Sequence, residues 1–407
     1  MLIPRVHAYY NTREILATIK YRGKGDIQTL EQSFAQYFKH KYGILFPYSR
    51  RAVIATFDIL GIYNKEIIMP AYTCVDVSHA VVKSGNIPIF VDSAPGEFNC
   101  RWDDFAGKIN ASTGALIGTH LFGTVMKDTC SKESLEKLKN IPILHDRTLA
   151  IGTPFTENNN VLKGLCSYYG LSLSKQFCMV KGGIVITDDE KLYKELISYR
   201  NKNIEKGNYG FQVNRYLFFL SHYLLFNPLT YDGLNYLAKY VKTVEKQIKY
   251  YDPNKITLPD DVNIMPSDWQ VRVGIVQLEK LNDMNKLRKI VYNRYVEGLK
   301  ELKGIGFYRN KPEEQSSHFI LFSEKRDEIV KVAQKEGVDI GLHFDYIIPD
   351  LPSYESYRTD EPFNNSRKLA ATVCNLPFWP GLSKRNQDKI IKVIIKIDDS
   401  ISKKGVN

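Results

Sequence analysis

Tyr168-Tyr169-Gly170-Leu171-Ser172-Leu173-Ser174-Lys175, followed by Gly182-Gly183-Ile184-Val185-Ile186-Thr187, sets one lysine between two apolar runs. The second run reads as a buried strand opened by a glycine pair. The lysine has hydroxyl neighbours and closely approaching backbone. A desolvated lysine loses its proton readily, and the free amine is a nucleophile. Such a lysine suits imine chemistry with a phosphate-bearing aldehyde, whereas most lysines that follow a serine are simply solvated.

Upstream, Ile141-Pro142-Ile143-Leu144-His145-Asp146 is a short apolar run ending in an acid. A parallel strand delivers a carboxylate to the C-terminal edge of its sheet in this way. Asp146 there can keep a pyridinium nitrogen protonated, the condition under which pyridoxal phosphate acts as an electron sink. The alternative is an ordinary strand-end acid capping the next helix. Earlier still, Glu66 to Cys74 is another strand and turn, and Ile87-Pro88-Ile89-Phe90-Val91-Asp92 is a further strand.

These segments together resemble the DegT/StrS-type sugar aminotransferases of the pyridoxal-phosphate fold-type I class. Ile68-Met69-Pro70-Ala71-Tyr72-Thr73 is similar to V-x-P-x-x-T, and Pro88 to Asp92 to P-V-F-V-D. Ile117 to Gly123 is similar to the stretch ending in H-L-Y-G. Asp146 stands at the acid of E-D-A-A-Q, and Lys175 with Gly182-Gly183 has the spacing K-x(6)-G-G. Arg326 to Phe344 resembles R-D-x-L…G-I-x-T-G-V-H-Y, and Asn375 to Leu382 resembles L-S-L-P-x-x-P-G-L. The resemblance runs from about Tyr42 to the C-terminus and fails over residues 204–262.

The resemblance implies an α/β fold: a mostly parallel sheet in a large domain, residues 1–264, and a smaller α+β domain, residues 265–407. It implies an aminotransferase that uses pyridoxal 5'-phosphate and an amino-acid donor, glutamate, to aminate a nucleotide-linked keto-sugar for polysaccharide or glycoconjugate synthesis. It also implies a homodimer. Lys175 would be the covalent anchor and proton shuttle, and Asp146 the pyridinium partner. Ser49-Arg50-Arg51 occupies the place of S-G-T, where a helix N-terminus receives the cofactor phosphate. Of Arg50 and Arg51, Arg51 is favoured because some relatives carry G-R-A there. Ser172 and Ser174 are further phosphate donors. Asn263 matches the asparagine of N-x-R-M that reaches a neighbouring subunit's phosphate. His343-Phe344 matches the H-Y pair near the substrate, with a satisfied core histidine as the alternative.

The chain departs from the pattern at three places. The glutamine after the acid is Leu149. The aromatic stacked on the pyridine ring is Cys74, with Tyr72 as a substitute. The glutamate of G-E-G-G is Lys181. These departures keep two alternatives open: a relative acting on another carbonyl, and a non-catalytic descendant that binds a sugar nucleotide.

The 407 residues, 43% hydrophobic, can bury a large core. The six cysteines have no metal spacing, which fits a reducing cytoplasm. No apolar signal region opens the chain, and no run is long enough to span a bilayer. The net charge of +11 reads as a lysine-rich surface, since no basic segment is interleaved with a nucleic-acid motif. Periodicity predicts helices over 28–41, 52–60, 131–138, 188–201, 326–335 and 384–401, and one long helix over 267–302 that joins the domains. The aromatic run Arg215 to Phe226 reads as a helical insert packed on the body or on a second subunit. A membrane-surface contact is its alternative.

Overall fold

The computed structural model describes residues 2–19, 25–126, 129–153, 162–173, 175–225, 233 and 251–404. Its centre is a seven-stranded sheet. The strands are β1 (Tyr42–Phe46), β2 (Glu66–Pro70), β3 (Ile87–Val91), β4 (Thr113–Thr119), β5 (Ile143–Asp146), β6 (Cys166–Gly170) and β7 (Gly183–Thr187). Their spatial order is β1-β7-β6-β5-β4-β2-β3. Strands β2 to β6 pair in parallel, and β7 runs antiparallel to both β6 and β1. Every residue of β7 is buried, and β4 is nearly so. Both runs are therefore apolar or small throughout rather than alternating, as expected of a sheet covered on both faces.

Helices α1 (Thr12–Ile19), α2 (Asp26–Tyr37), α3 (Ser49–Ile59), α4 (Val75–Lys83), α5 (Trp102–Ala106), α6 (Lys132–Leu138) and α7 (Glu190–Asn203) cover the sheet. Side-chain caps start several of them, α6 and α7 among these. Ser131 accepts from the Ser134 amide at α6, and Asp189 from the Leu192 amide at α7. α8 (Tyr209–Leu225) is the helix of the aromatic insert. A small pair, β8 (Glu205–Lys206) with β9 (Ile264–Met265), ties its beginning to the body.

The segment read as one helix over 267–302 is two. α9 (Asp268–Glu279) and α10 (Leu281–Gly298) break at Lys280, whose φ of −101° and ψ of 4° leave the helical range. Lys280 is buried there, ion-paired with Glu14, with its ammonium donating to the Tyr9 carbonyl at 2.7 Å. A second, antiparallel sheet of β10 (Gly306–Phe307), β11 (Phe319–Phe322) and β12 (Val373–Leu376) follows. It packs with α10, α11 (Arg326–Lys335) and α13 (Lys384–Lys404) around a hydrophobic core of its own, including Tyr295, Phe319, Ile329, Ile390 and Ile394. α12 (Asn364–Thr372) leads into β12.

Within α8, Phe219 is fully buried against Trp269 and Tyr10, whereas Leu217 and Leu224 are exposed. Phe218, Leu220 and Tyr223 are half-buried. Phe226 and the Leu225 side chain lie outside the described residues.

One contact sets the sheet's functional edge. A Cβ at Gly183 would sit 2.0 Å from the Ser49 amide nitrogen and 2.3 Å from the Tyr48 carbonyl carbon. Only glycine lets the start of β7 touch the turn that begins α3. Gly183→Ala is expected to cost about 2–3 kcal/mol by overpacking against backbone that has no room to move. Urea denaturation of the variant beside wild type measures it. Equal midpoints would show that the contact relaxes freely.

Candidate active site

Parallel strands end at a common edge, and four of them deliver side chains there. β2 leads into Thr73 and Cys74, β4 ends in Thr119, β5 in Asp146 and β6 in Gly170, followed by Ser172 and Lys175. The register aligns these ends: Thr119 lies opposite Asp146, and Gly170 opposite Gly183. β1 ends beside them and turns through Tyr48 into α3. The result is a cavity with about 850 Å³ of empty space including its open mouth. Lys175, Asp146, Arg50, Cys74, Ser172 and Phe344 all line it, together with Tyr48, Ser49, Asp76, Thr148 and Leu149.

Asp146 is held by the local chain. The Thr148 amide donates to its Oδ1 at 3.0 Å, and the Thr148 hydroxyl accepts from the Gly170 amide at 2.9 Å. Thr148 thus fixes the carboxylate and ties β5 to the end of β6. Burial raises the Asp146 pKa above the ordinary carboxylate range, while the Thr148 hydrogen bonds and the Lys175 charge pull the other way. A buried carboxylate pulled in opposite directions is poised to take a cationic N–H partner.

At the other end of the cavity, α3 begins without a side-chain cap. An uncapped helix start, with its free amides and dipole, is a place that attracts an anion. Arg50 adds a cation, paired here with Asp76 in the first turn of α4. Burial, reinforced by Asp76, pushes the Cys74 thiol up to about 12, so Cys74 lines the wall as a neutral thiol.

Other expected site residues fall elsewhere. Arg51 is absent from the cavity wall. Its Nε donates to Asn263 Oδ1 at 2.7 Å and its Nη1 to the Tyr199 hydroxyl at 3.0 Å. Consecutive helical residues point about 100° apart, so only one of the two arginines can face the cavity. Asn263 is occupied in this contact. Tyr72 lies fully buried behind the wall. Its hydroxyl donates to the His343 carbonyl at 3.2 Å and its ring meets Phe344 edge-on at 5.7 Å. His343 sits in an aromatic cluster with Phe344 and His318, and burial holds its pKa well below the usual histidine value. Ser174 lies outside the described residues.

Asp76, Thr148 and Tyr48 were not singled out from the sequence as site residues. The Asp146-x-Thr148 spacing of an Asx turn was a usable signal for Thr148. The Tyr48 hydroxyl donates to Asp261 at 2.6 Å, an acid that also meets Lys181 at 3.4 Å and pairs with Arg215 of α8. The aromatic insert thereby reaches the rim of the cavity through one charged residue.

Behind Asp146 runs a buried chain of hydrogen bonds. The Met126 amide donates to His120 Nδ1 at 3.1 Å, His120 Nε2 meets His145 Nδ1 at 2.9 Å, and His145 Nε2 meets the Leu162 carbonyl at 2.9 Å. A carbonyl only accepts and an amide only donates. Both imidazoles are therefore neutral with the proton on Nε2. The His120 amide also donates to the Asp146 carbonyl at 3.0 Å, which joins this chain to the site.

The family model of the DegT/DnrJ/EryC1/StrS aminotransferases matches residues 9–227 and 255–395. GDP-perosamine synthase of Vibrio cholerae is 22% identical over 374 residues, covering 89% of this chain and 87% of that protein. Among solved structures, the PLP form of the putative sugar aminotransferase Spr1654 from Streptococcus pneumoniae superposes with a TM-score of 0.76. The identity is 18%, over 98% of this chain and 100% of that one. DesI, solved in the presence of its TDP-sugar product, gives 0.74 at 16% identity, over 100% and 96% of the two chains. These structural likenesses establish a fold-type I architecture. Among the described residues, no helix is long and apolar enough to cross a membrane.

The histidine chain predicts an acid response. Burial pushes His145 down to about 3, below the unfolded value of about 6.5. Its native state therefore binds fewer protons than the unfolded chain. The stability it contributes is whole above pH of about 6.5 and falls toward about 3, on the order of 1 kcal/mol per pH unit. Urea unfolding at pH 7 and pH 5 should show a smaller drop for His145→Gln than for wild type. An identical drop in both would mean that His145 is not held neutral.

Proposed function

The chain belongs to the DegT/DnrJ/EryC1/StrS aminotransferase family, and on that premise we propose that it transfers an amino group from glutamate to a keto-sugar carried on a nucleotide, with pyridoxal 5'-phosphate as cofactor. The observation that carries this reading is that Lys175, Asp146 and the Arg50 end of α3 line one cavity. An amine, a carboxylate and an anion site are the three groups such a cofactor requires. When bound, the cofactor supplies an electron sink for the carbon that gives or receives the amine.

The chain's own residues do the rest. Lys175 Nζ would hold the cofactor's aldehyde end, and its free amine would move a proton at the reacting carbon. Asp146, oriented by Thr148, keeps a proton on the ring nitrogen. The first amides of α3 and the Arg50 guanidinium, paired here with Asp76, would hold the phosphate. Ser172, on the same wall, is a further donor. Leu149, Ile117 and Val77 form apolar wall of the same cavity and would help keep water off a bound group. Cys74 and Phe344 stand where the ring and the sugar would be bounded.

The nucleotide-sugar substrate is supported by the relatives: one is named for a GDP-sugar product and another was solved with a TDP-sugar. The homodimer belongs to the same proposal. Asn263 would then exchange Arg51 for the neighbour's cofactor phosphate. A second reading, a binder without turnover, draws on Leu149 and Cys74, which remove a hydrogen bond and a stacking ring. Screening nucleotide-linked keto-sugars with glutamate, with mass detection of the amino-sugar, separates the two.

Two tests follow from the roles assigned. Borohydride reduction of the cofactor-loaded protein and peptide mapping should place the label on Lys175. A label on Lys181 would move the anchor to the other lysine of this loop. Asp146→Asn should lower kcat by about 100-fold or more while leaving the melting temperature close to wild type, because a neutral amide cannot hold the ring nitrogen protonated. Turnover at the wild-type rate by a cofactor-loaded Asp146→Asn protein would remove Asp146 from this role.

A further inference from the structure

A second cavity opens beside Gln176, the residue after Lys175. It holds about 490 Å³ of empty space including its mouth. Arg288 and Lys289 of α10 line it, with Lys311, Glu314 and Ser316 from the segment between β10 and β11, and Phe378. Arg288 is only 6% exposed. Its two guanidinium ends donate to neutral oxygens, Asn285 Oδ1 at 3.1 Å and the Gln176 carbonyl at 2.8 Å. Among the described residues no carboxylate pairs with it. Burial pushes the guanidinium down to about 9, which leaves it charged at neutral pH.

A buried cation without an anion is costly, and such charges are normally paired. A second group on the same wall is also unsatisfied. Ser316 is 6% exposed, and its hydroxyl has no hydrogen-bond partner, although its carbonyl accepts from Gln176 Nε2 at 2.9 Å. Among the described residues of the wall the one acid, Glu314, is engaged by the Tyr308 hydroxyl at 3.2 Å and the Lys311 amide at 3.0 Å. Three cations thus face the cavity against one acid. The charged fork and the hydroxyl are buried, and the exposed Lys289 stands at the mouth. Arg288 offers planar N–H donors suited to an oxyanion.

We propose that this cavity binds a small oxyanion of the phosphate class, free phosphate or a phosphomonoester, with Arg288 and Ser316 as buried donors and Lys289 and Lys311 as outer cations. Arg288 also donates to the Gln176 carbonyl and the Ser316 carbonyl accepts from Gln176, so an occupant braces the loop that carries Lys175 from outside the cofactor cavity.

Calorimetric titration of the full chain, saturated with pyridoxal phosphate, with inorganic phosphate tests the site. One phosphate should bind per chain, with affinity falling as chloride is raised. Ser316→Ala should weaken it about tenfold, the worth of a hydrogen bond to a charged group. Lys289→Glu, at an exposed position, should weaken it several-fold without affecting the fold. Arg50→Met should leave it unchanged. Methyl phosphate in place of phosphate distinguishes the source: tighter binding assigns a monoester seated against Phe378, and equal or weaker binding assigns free phosphate. No saturable phosphate binding by wild type would overturn the proposal. So would binding that Arg50→Met abolishes and Ser316→Ala and Lys289→Glu leave intact. Because those two variants lie outside the cofactor cavity, a failure here is separable from a failure of the aminotransferase reading.

Discussion

The site depends on two backbones touching where β7 begins and α3 begins. β7 is the strand that runs against its neighbours, so its first residue, not its last, lies at the edge where β4, β5 and β6 end. Gly183 at that point admits the Tyr48-Ser49 turn at a distance no side chain would allow. The turn, in its place, aims the uncapped start of α3 into the cavity that Lys175 and Asp146 line. The same loop, Leu171 to Gly182, is pinned at both ends: the Leu171 amide donates to the Gly182 carbonyl at 2.9 Å, and the Met179 amide to the Leu171 carbonyl at 3.0 Å. The lysine is therefore carried on a closed loop rather than a free one. Its position is set by the sheet.

Charge within the cavity is balanced locally. Asp146 loses hydration and is compensated by Thr148 and by the positive charge of Lys175. Arg50 is compensated by Asp76. Behind them the His120–His145 chain satisfies its polar atoms with both rings neutral, so it adds no charge to a site that already holds four. This matters because a charged imidazole next to Asp146 would compete for it. Burial is the largest cause of the low pKa at His145, His318 and His343 alike. The environment that strengthens the Lys175–Asp146 interaction also keeps these histidines silent.

Much of this was legible in the chain because the decisive residues sit at strand ends. A short apolar run followed by an acid, and a glycine pair opening an apolar run, both report a position along a buried strand. That much placed Asp146 and Gly183 at strand ends, whereas the roles given to Asp146 and Lys175 came from the family resemblance. The choice between Arg50 and Arg51 was not legible. It depends on the direction in which each side chain leaves α3: Arg50 lines the cavity, and Arg51 turns to Asn263 and Tyr199. The break at Lys280 was equally hidden. The apolar periodicity continues through it, and the partner that Lys280 meets there, Glu14, lies more than two hundred residues away in sequence. Asp76 was hidden for a similar reason: only the packing of α3 against α4 turns an ordinary first-turn acid into the partner of Arg50.

The rim shows how the departures from the family pattern fit together. Lys181 replaces a glutamate, which by itself would add an unmatched cation beside Arg50. The structure answers with Asp261, which meets Lys181, Arg215 and the Tyr48 hydroxyl at once. One carboxylate shared between two cations leaves the rim net positive, and burial together with Arg215 lowers the Lys181 pKa. Arg215 comes from α8, whose Phe219 is anchored under Trp269. The aromatic helix therefore serves a positional purpose: its buried ring fixes the register that lets Arg215 reach Asp261. Lys181, in place of the usual acid, and Arg215 of α8 are then parts of one arrangement around Asp261. Its sum is a positive rim around a cavity whose proposed ligands, a phosphate-bearing cofactor and a nucleotide-linked sugar, are both anions.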